Sequence, residues 1–368
     1  MTRDFLLVII SLATWGIGES AFMYFQPLYL EELGASPLTI GGILGGVGLM
    51  MTIIHIPAGY LADRIGQRKL IWAGWLTGII TTGIMAAANS LVVFSIGIIL
   101  YSVTLFVSSP LNSYVTASRG KLSVERALTT TTAAFYFGGI VGPLAGGMLA
   151  ERIGLRSIYF VSFGIFILST LIILFIRHQP PEQDHGNPAR ELYYNRRYMF
   201  YLPLVFLVFF TLFFPQPLAP NFLRNQREIS FQTIGVLGSI SSLGNVVLSL
   251  LFGYLPAQIG LILGHTMIGA FALLIWKTSQ VPFLMLAYFL LGGFRATRSI
   301  ILAQVSKLVK KVNLGLAYGI TETVSSLAMA AAPPLAGYLY EFNPNSIFST
   351  TLLLLIPTII FIIIRKEK

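Results

Sequence analysis

Apolar runs of about twenty residues follow one another along nearly the whole of this 368-residue chain. A helix rises about 1.5 Å per residue, so such a run crosses the roughly 30 Å of hydrocarbon in a bilayer. Twelve are found, at roughly 5–30, 37–62, 69–88, 90–116, 124–151, 155–177, 199–222, 231–257, 261–277, 281–306, 314–340 and 346–364. The pattern predicts an all-α integral membrane protein. One long polar break, HQPPEQDHGNPARELYYNRR at 178–197, is rich in proline and charge and divides the spans six and six. It predicts an N-terminal six-helix bundle over 1–177, a cytoplasmic linker over 178–198 and a C-terminal six-helix bundle over 199–368.

Short matches link the two halves in order. QPL at Gln26 recurs at Gln216, TIG at Thr39 at Thr233, GYLADRIG at Gly59 as GYLPAQIG at Gly253, and GPLAGG at Gly142 as PPLAGY at Pro333, all displaced by about 190 residues. Four matches at nearly one offset imply a duplicated, pseudo-symmetric unit. Parallel repeats are one architecture of secondary transporters, with the solute site at the repeat interface near the bilayer midplane. Rocking one half against the other then exposes that site alternately to each side.

Composition sharpens this. Only 10% of residues are charged, against about 25% in a soluble domain. There are no cysteines and four scattered histidines, so the sequence offers no metal or thiol site, and no phosphate loop or nucleophile and base pair marks an enzyme or a cofactor. The net charge of +10 does not point to nucleic acid, because its distribution follows the membrane. Arg64, Arg68 and Lys69, then Arg119, Lys121 and Arg126, Arg190, Arg196 and Arg197, and Lys307, Lys310 and Lys311 fall on one side with both termini. The positive-inside rule makes that side cytoplasmic, which predicts a multi-pass protein of the cell's inner (plasma) membrane. MTRDF leads into a first span without a cleavage signature, so that span is expected to be retained. The partners expected are the lipid bilayer, a small-molecule substrate and protons, with the chain read as a monomer.

GYLADRIGQRK, from Gly59, resembles the loop signature between the second and third helices of the major facilitator superfamily. GGIVGPLAGG, at 138–147, resembles the G-x-x-x-G-P-x-x-G-G motif of that family's drug and metabolite antiporter branches, with Gly138, Gly142, Pro143, Gly146 and Gly147 at its fixed positions. The resemblance implies twelve helices in the major facilitator fold, transport by alternating access and export by proton antiport. It implies a conformational latch at Gly59, Asp63, Arg64, Gly66 and Arg68, whose Asp63 and Arg64 become Ala257 and Gln258 in the second half. The glycines and Pro143 let backbones approach closely. Those branches usually carry an arginine midway along the fourth span, where SIGIILYSVTLFVSSP has no charge; proton machinery must lie elsewhere or be absent.

Ionisable groups inside the membrane cost a few kcal/mol each and by default mark a pathway. Glu19, Arg295, Arg298 and Glu322 lie there, whereas His55 and His265 are expected at the interface. Glu19 shares a helical stripe with Trp15, Met23 and Gln26, and its counterpart in the second half is Phe209. A carboxyl group in apolar surroundings holds its proton to higher pH, which suits Glu19 to proton coupling, with Glu322 as a second candidate; the bland alternative is a neutral acid bonded to a neighbouring helix. Arg298 and Glu322 lie at equal depth and are expected to pair. Arg295, one turn away, can hold a substrate anion through its fork or pair with Glu19 or Glu322. Tyr101, Thr104, Ser108 and Asn112 on the fourth span, Tyr136 on the fifth, and Tyr318, Ser325, Ser326 and Met329 on the eleventh complete a candidate substrate lining with Gln26. Two functions follow: a proton-coupled exporter centred on Glu19, and an organic-anion uptake or exchange carrier centred on Arg295 and Arg298.

Overall fold

The computed structural model of the chain describes residues 2–178, 192, 194–310 and 314–364, and within them every side chain but those of 55–65, 109, 125 and 315. The helices in chain order are α1 (Arg3–Met23), α2 (Gln26–Glu32), α3 (Pro37–Ile65), α4 (Gln67–Ala87), α5 (Leu91–Tyr101), α6 (Ser108–Ser118), α7 (Val124–Arg152), α8 (Leu155–Ile173), α9 (Arg196–Met199), α10 (Leu202–Phe213), α11 (Ala219–Arg227), α12 (Phe231–Phe252), α13 (Ala257–Lys277), α14 (Val281–Leu290), α15 (Gly293–Leu308), α16 (Leu314–Phe342) and α17 (Ser346–Ile364). Among the described residues, eleven helical stretches are long and apolar enough to cross a membrane. The helix α16, with Pro333 and Pro334 inside it, supplies the remaining span by position.

Contacts group the chain into two compact units. One comprises Met1–Gly34, Ile53–Asp184 and Ser230–Ser239, the other Ala35–Thr52, His185–Ile229 and Ile240–Lys368. In the first, α1 lies against α7 and α8, and α4 against α8 and α5. In the second, α10 lies against α16 and α17, and α13 against α14, α15 and α17. The division differs from a cut at the linker: the first half of α3 belongs with α16, and the first residues of α12 belong with α7. Small residues make both contacts. A side chain added at Gly45 would strike Pro334 and Ala330, and one at Gly147 would strike Phe231 and Gly235. Without a hydrophobic force between helices in lipid, such close backbone packing supplies the association energy.

The GGIVGPLAGG glycines are explained the same way. At Gly138, Gly142 and Gly146, one α7 residue every four, a Cβ would collide with the backbone of α1 at Ile17 and Ala21 or with the Ser20 hydroxyl. Ser20 Oγ donates to Gly138 O at 2.9 Å across the same seam.

Hydropathy presents the first, fourth, seventh and tenth spans as unbroken; the structure interrupts all four. The first ends at Met23, turns at Tyr24 and Phe25, and restarts as α2 with Pro27 in its first turn; the seventh does the same before α11, with Pro220. The fourth tightens into a 3₁₀ segment, Ser102–Val107. Its cause is local. Ser102, Thr104 and Ser108 hydroxyls each donate to the carbonyl three residues back, and Pro110 has no N–H to give Phe106. The tenth tightens at the matching place, where Gly292 N–H bonds Phe289 O and Phe294 N–H bonds Leu291 O. There Gly292 lies so close to the backbone of Gly244 and Asn245 that a Cβ would strike it.

Both of these spans are tied at their C-terminal ends by the start of their own half. Thr2, the N-cap of α1, also donates its hydroxyl to Ser118 O. Asn195, the N-cap of α9, donates Nδ2 to Leu308 O at 2.7 Å.

Candidate functional site: a carboxylate cavity and an ion pair

In the first unit a cavity of about 210 Å³ is lined by Trp15, Glu19, Trp75, Thr104, Ser108 and Phe135, among others. Among the described residues, Glu19 is the only ionisable one on its wall. Trp15, one turn before Glu19 on α1, donates its indole N–H to Glu19 Oε2 at 2.8 Å, and Tyr101, the last residue of α5, donates its hydroxyl to the same oxygen at 2.8 Å. Both donors converge on one oxygen and leave Oε1 to other partners. Tyr101 reaches Glu19 at the point where the fourth span changes pitch, so the break and the carboxylate share a location.

Aromatic rings hold both donors. Trp15 packs on Phe166 at 4.2 Å between centroids and on Trp75 at 5.0 Å. Tyr101 packs edge-on against Phe22 at 5.3 Å. The tip of the Trp15 ring fills the place a side chain would take at Gly78 of α4. In the second half the position of Glu19 falls to Phe209, buried with its ring 5.7 Å from Phe294, so the carboxylate has no counterpart there.

In the second unit Arg298 grips Glu322 with both arms: Nε donates to Oε1 at 3.0 Å and Nη2 to Oε2 at 2.7 Å. The pair joins α15 to α16, as equal depth on the two spans predicted. It is partly open, with the Arg298 side chain 44% and the Glu322 side chain 18% exposed. Arg295, half-buried, lies one turn earlier on α15. Leu105 and Ser108, at the equivalent positions of the fourth span, line the Glu19 cavity.

Other candidate residues lie outside this cavity. Gln26 does not extend the Glu19 stripe, because the chain turns before it and buries it at the start of α2, while Met23 is exposed. Asn112 is exposed and Tyr136 half-buried, and neither lines the cavity; Phe135, one residue and about 100° around the helix, does so instead. Ser325 and Ser326 are buried, and Ser325 bonds Thr321 O within its own helix. His265 is fully buried on α13, with Nδ1 2.6 Å from Leu261 O. In the loop signature, Gly66 takes the positive φ (+86°) that glycine permits, and Arg68 stacks over Trp72 at 4.6 Å. The side chains of Gly59, Asp63, Arg64 and His55 lie outside the described residues.

Comparison with known proteins bears on all of this. The chain is 28% identical over 185 residues to multidrug resistance protein MdtG of Citrobacter koseri, covering 48% of this chain and 46% of that protein, and 23% identical over 386 residues to multidrug resistance protein 2 of Bacillus subtilis (strain 168), covering 99% and 95%. It thus spans about half the length of the first of these relatives and nearly all of the second. Among solved structures, the nucleoside transporter NupG superposes with a TM-score of 0.82 at 14% identity, over 99% of this chain and 100% of that one, and an inward-facing bacterial homologue of the lysosomal transporter Spinster with 0.71 at 15%, over 98% and 94%. The sequence profile of the Major Facilitator Superfamily matches residues 5–214 and 201–368. Eleven spanning apolar helices among the described residues, a duplicated chain and that match over its whole length make this protein a member of the major facilitator superfamily, a multi-pass membrane transporter.

Proposed function

We propose that this transporter exports small organic compounds in exchange for protons, by alternating access between two six-helix halves, and that Glu19 is the group on which proton and cargo compete. One observation carries the reading: a lone carboxylate stands on the wall of a cavity otherwise built of aromatic, apolar and hydroxyl side chains. Ionised, it accepts from Trp15 and Tyr101 and draws cationic or dipolar groups over the surrounding rings. Protonated, it loses both its charge and part of its capacity to accept. A proton arriving from one side therefore weakens the hold on cargo that entered from the other. The names of the curated relatives, multidrug resistance proteins, agree with organic cargo and outward transport. The charge bias supports a cytoplasmic position for both termini and the linker.

The test is flux in proteoliposomes under an imposed pH gradient, with cargo chosen by a thermal-shift screen of cationic, neutral and anionic compounds. Glu19→Gln is expected to carry cargo downhill with no response to the gradient. An unchanged gradient response in that variant removes Glu19 from the mechanism.

The second reading is an organic-anion carrier. Arg295 and Arg298 follow one another on one face of α15 and favour it, while the bidentate hold of Arg298 on Glu322 occupies the fork that an anion would use. It expects Arg295→Ala to abolish anion binding while pH dependence survives.

A further inference from the structure

Glu19 is oriented by Trp15, and Trp15 leans on a ring that is itself pinned. Trp75, on α4, directs its indole N–H between two hydroxyls, Ser11 Oγ at 2.9 Å and Ser169 Oγ at 3.0 Å. Both serines have no exposed surface and Trp75 almost none. Indole N–H only donates, so both serine oxygens accept from it. Each serine hydroxyl also reaches the main chain of the other, Ser11 Oγ to Ser169 O at 2.9 Å and Ser169 Oγ to Ser11 O at 2.7 Å, and the two hydroxyl oxygens lie 2.9 Å apart, so the three groups close one buried cluster. A buried helix hydroxyl ordinarily satisfies itself on the carbonyl of its own preceding turn, as the neighbouring Thr170 does on Phe166 O. This reciprocal pair, joining α1 to α8, instead turns its lone pairs toward one donor on a third helix.

We propose that Trp75, fixed by Ser11 and Ser169, is a positioning residue for Glu19, acting through Trp15. The ring of Trp75 walls Trp15 on one side, Phe166 closes another, and Gly78, three residues on along the same face of α4, leaves the slot that its ring tip enters. So confined, the Trp15 indole keeps its N–H aimed at Glu19. The inference rests on the reading of Glu19 as the proton-carrying group. Tyr101 is the titratable group bonded to Glu19 from the fourth span, while α4, α7 and α8 present Trp75, Phe135 and Phe166 around the site.

The test is an infrared pH titration of the full-length protein in lipid, reading the protonated-carboxyl band that disappears in Glu19→Gln. Losing a donor to the carboxylate disfavours its charged form, so Trp15→Phe moves the midpoint upward by about half to one pH unit, roughly a three- to tenfold change in proton affinity. Trp75→Phe keeps an aromatic wall but frees it from the serines. It is expected to move the midpoint in the same direction by a smaller amount, and the double variant to match Trp15→Phe alone. Ser169→Ala, a smaller change, gives the same direction if Trp75→Phe folds poorly. A midpoint unmoved in both, or a Trp75→Phe shift that adds in full to that of Trp15→Phe, overturns the positioning role. The absence of any band lost in Glu19→Gln overturns the proton-site reading beneath it, and the two failures are told apart by that band.

Discussion

Replacing Glu322 with glutamine keeps the shape of the group that Arg298 grips but removes its charge, and the structure sets the size of the effect. Exposed ion pairs contribute about 0–1 kcal/mol and breaking fully buried ones costs about 3–5 kcal/mol. At 44% and 18% side-chain exposure, with two bonds of 3.0 and 2.7 Å, this pair falls between, and a coupling of about 1–2 kcal/mol is expected. The assay is a double-mutant cycle of the parent, Arg298→Gln, Glu322→Gln and the double variant, read by thermal unfolding. For compact units of this size 1 kcal/mol corresponds to about 2–4 °C, so the double variant should melt roughly 2–8 °C above the sum of the single losses. Screening shortens from about 10 Å to 3 Å between 0.1 and 1 M salt, and the open side of Arg298 makes the coupling smaller there. Additivity within about 0.5 kcal/mol at low salt would refute the pair as a stabilising contact.

Further outcomes follow from other contacts. Gly142→Ala pushes a methyl into Ser20 and the α1 backbone and should cost about 1–3 kcal/mol, whereas Gly164→Ala on α8, with open space around its Cβ, should gain up to about 1 kcal/mol; thermal unfolding of both variants checks the contrast. Pro110→Ala restores a donor for Phe106 O, so hydrogen exchange over 102–110 should slow by an order of magnitude or more as the 3₁₀ segment becomes α-helical. Asp63→Asn, in the latch, should favour the inward-open state, seen as a shift in spin-label distances between the cytoplasmic ends of the two halves.

Spacing and depth made part of the site legible. Trp15 and Glu19 are four residues apart, so one helical turn brings them together, and Arg298 and Glu322 meet because both lie about eight residues from the same membrane face. Tyr101 escaped that logic as a partner of Glu19, being 82 residues away in sequence. Ser11 and Ser169 gave no sign either, since an isolated serine in an apolar run reads as a small packing residue until its partner across the helix is known. Hydropathy counted the spans but passed over their interruptions, because a 3₁₀ turn and an α turn bury the same side chains. The burial of His265 was equally hidden, since position along a helix says nothing of which face packs against its neighbours.

The interrupted fourth and tenth spans reach one local shape by different means. Hydroxyl groups and Pro110 produce the interruption in one half, and a glycine pressed on Gly244 in the other. Residue identity therefore understates the likeness of the halves at these places. Their tolerance of substitution is also unequal. A change at Pro110 restores a missing donor in the fourth span, whereas any side chain at Gly292 must first displace a neighbouring helix, so the bend is easier to alter in the first half than in the second.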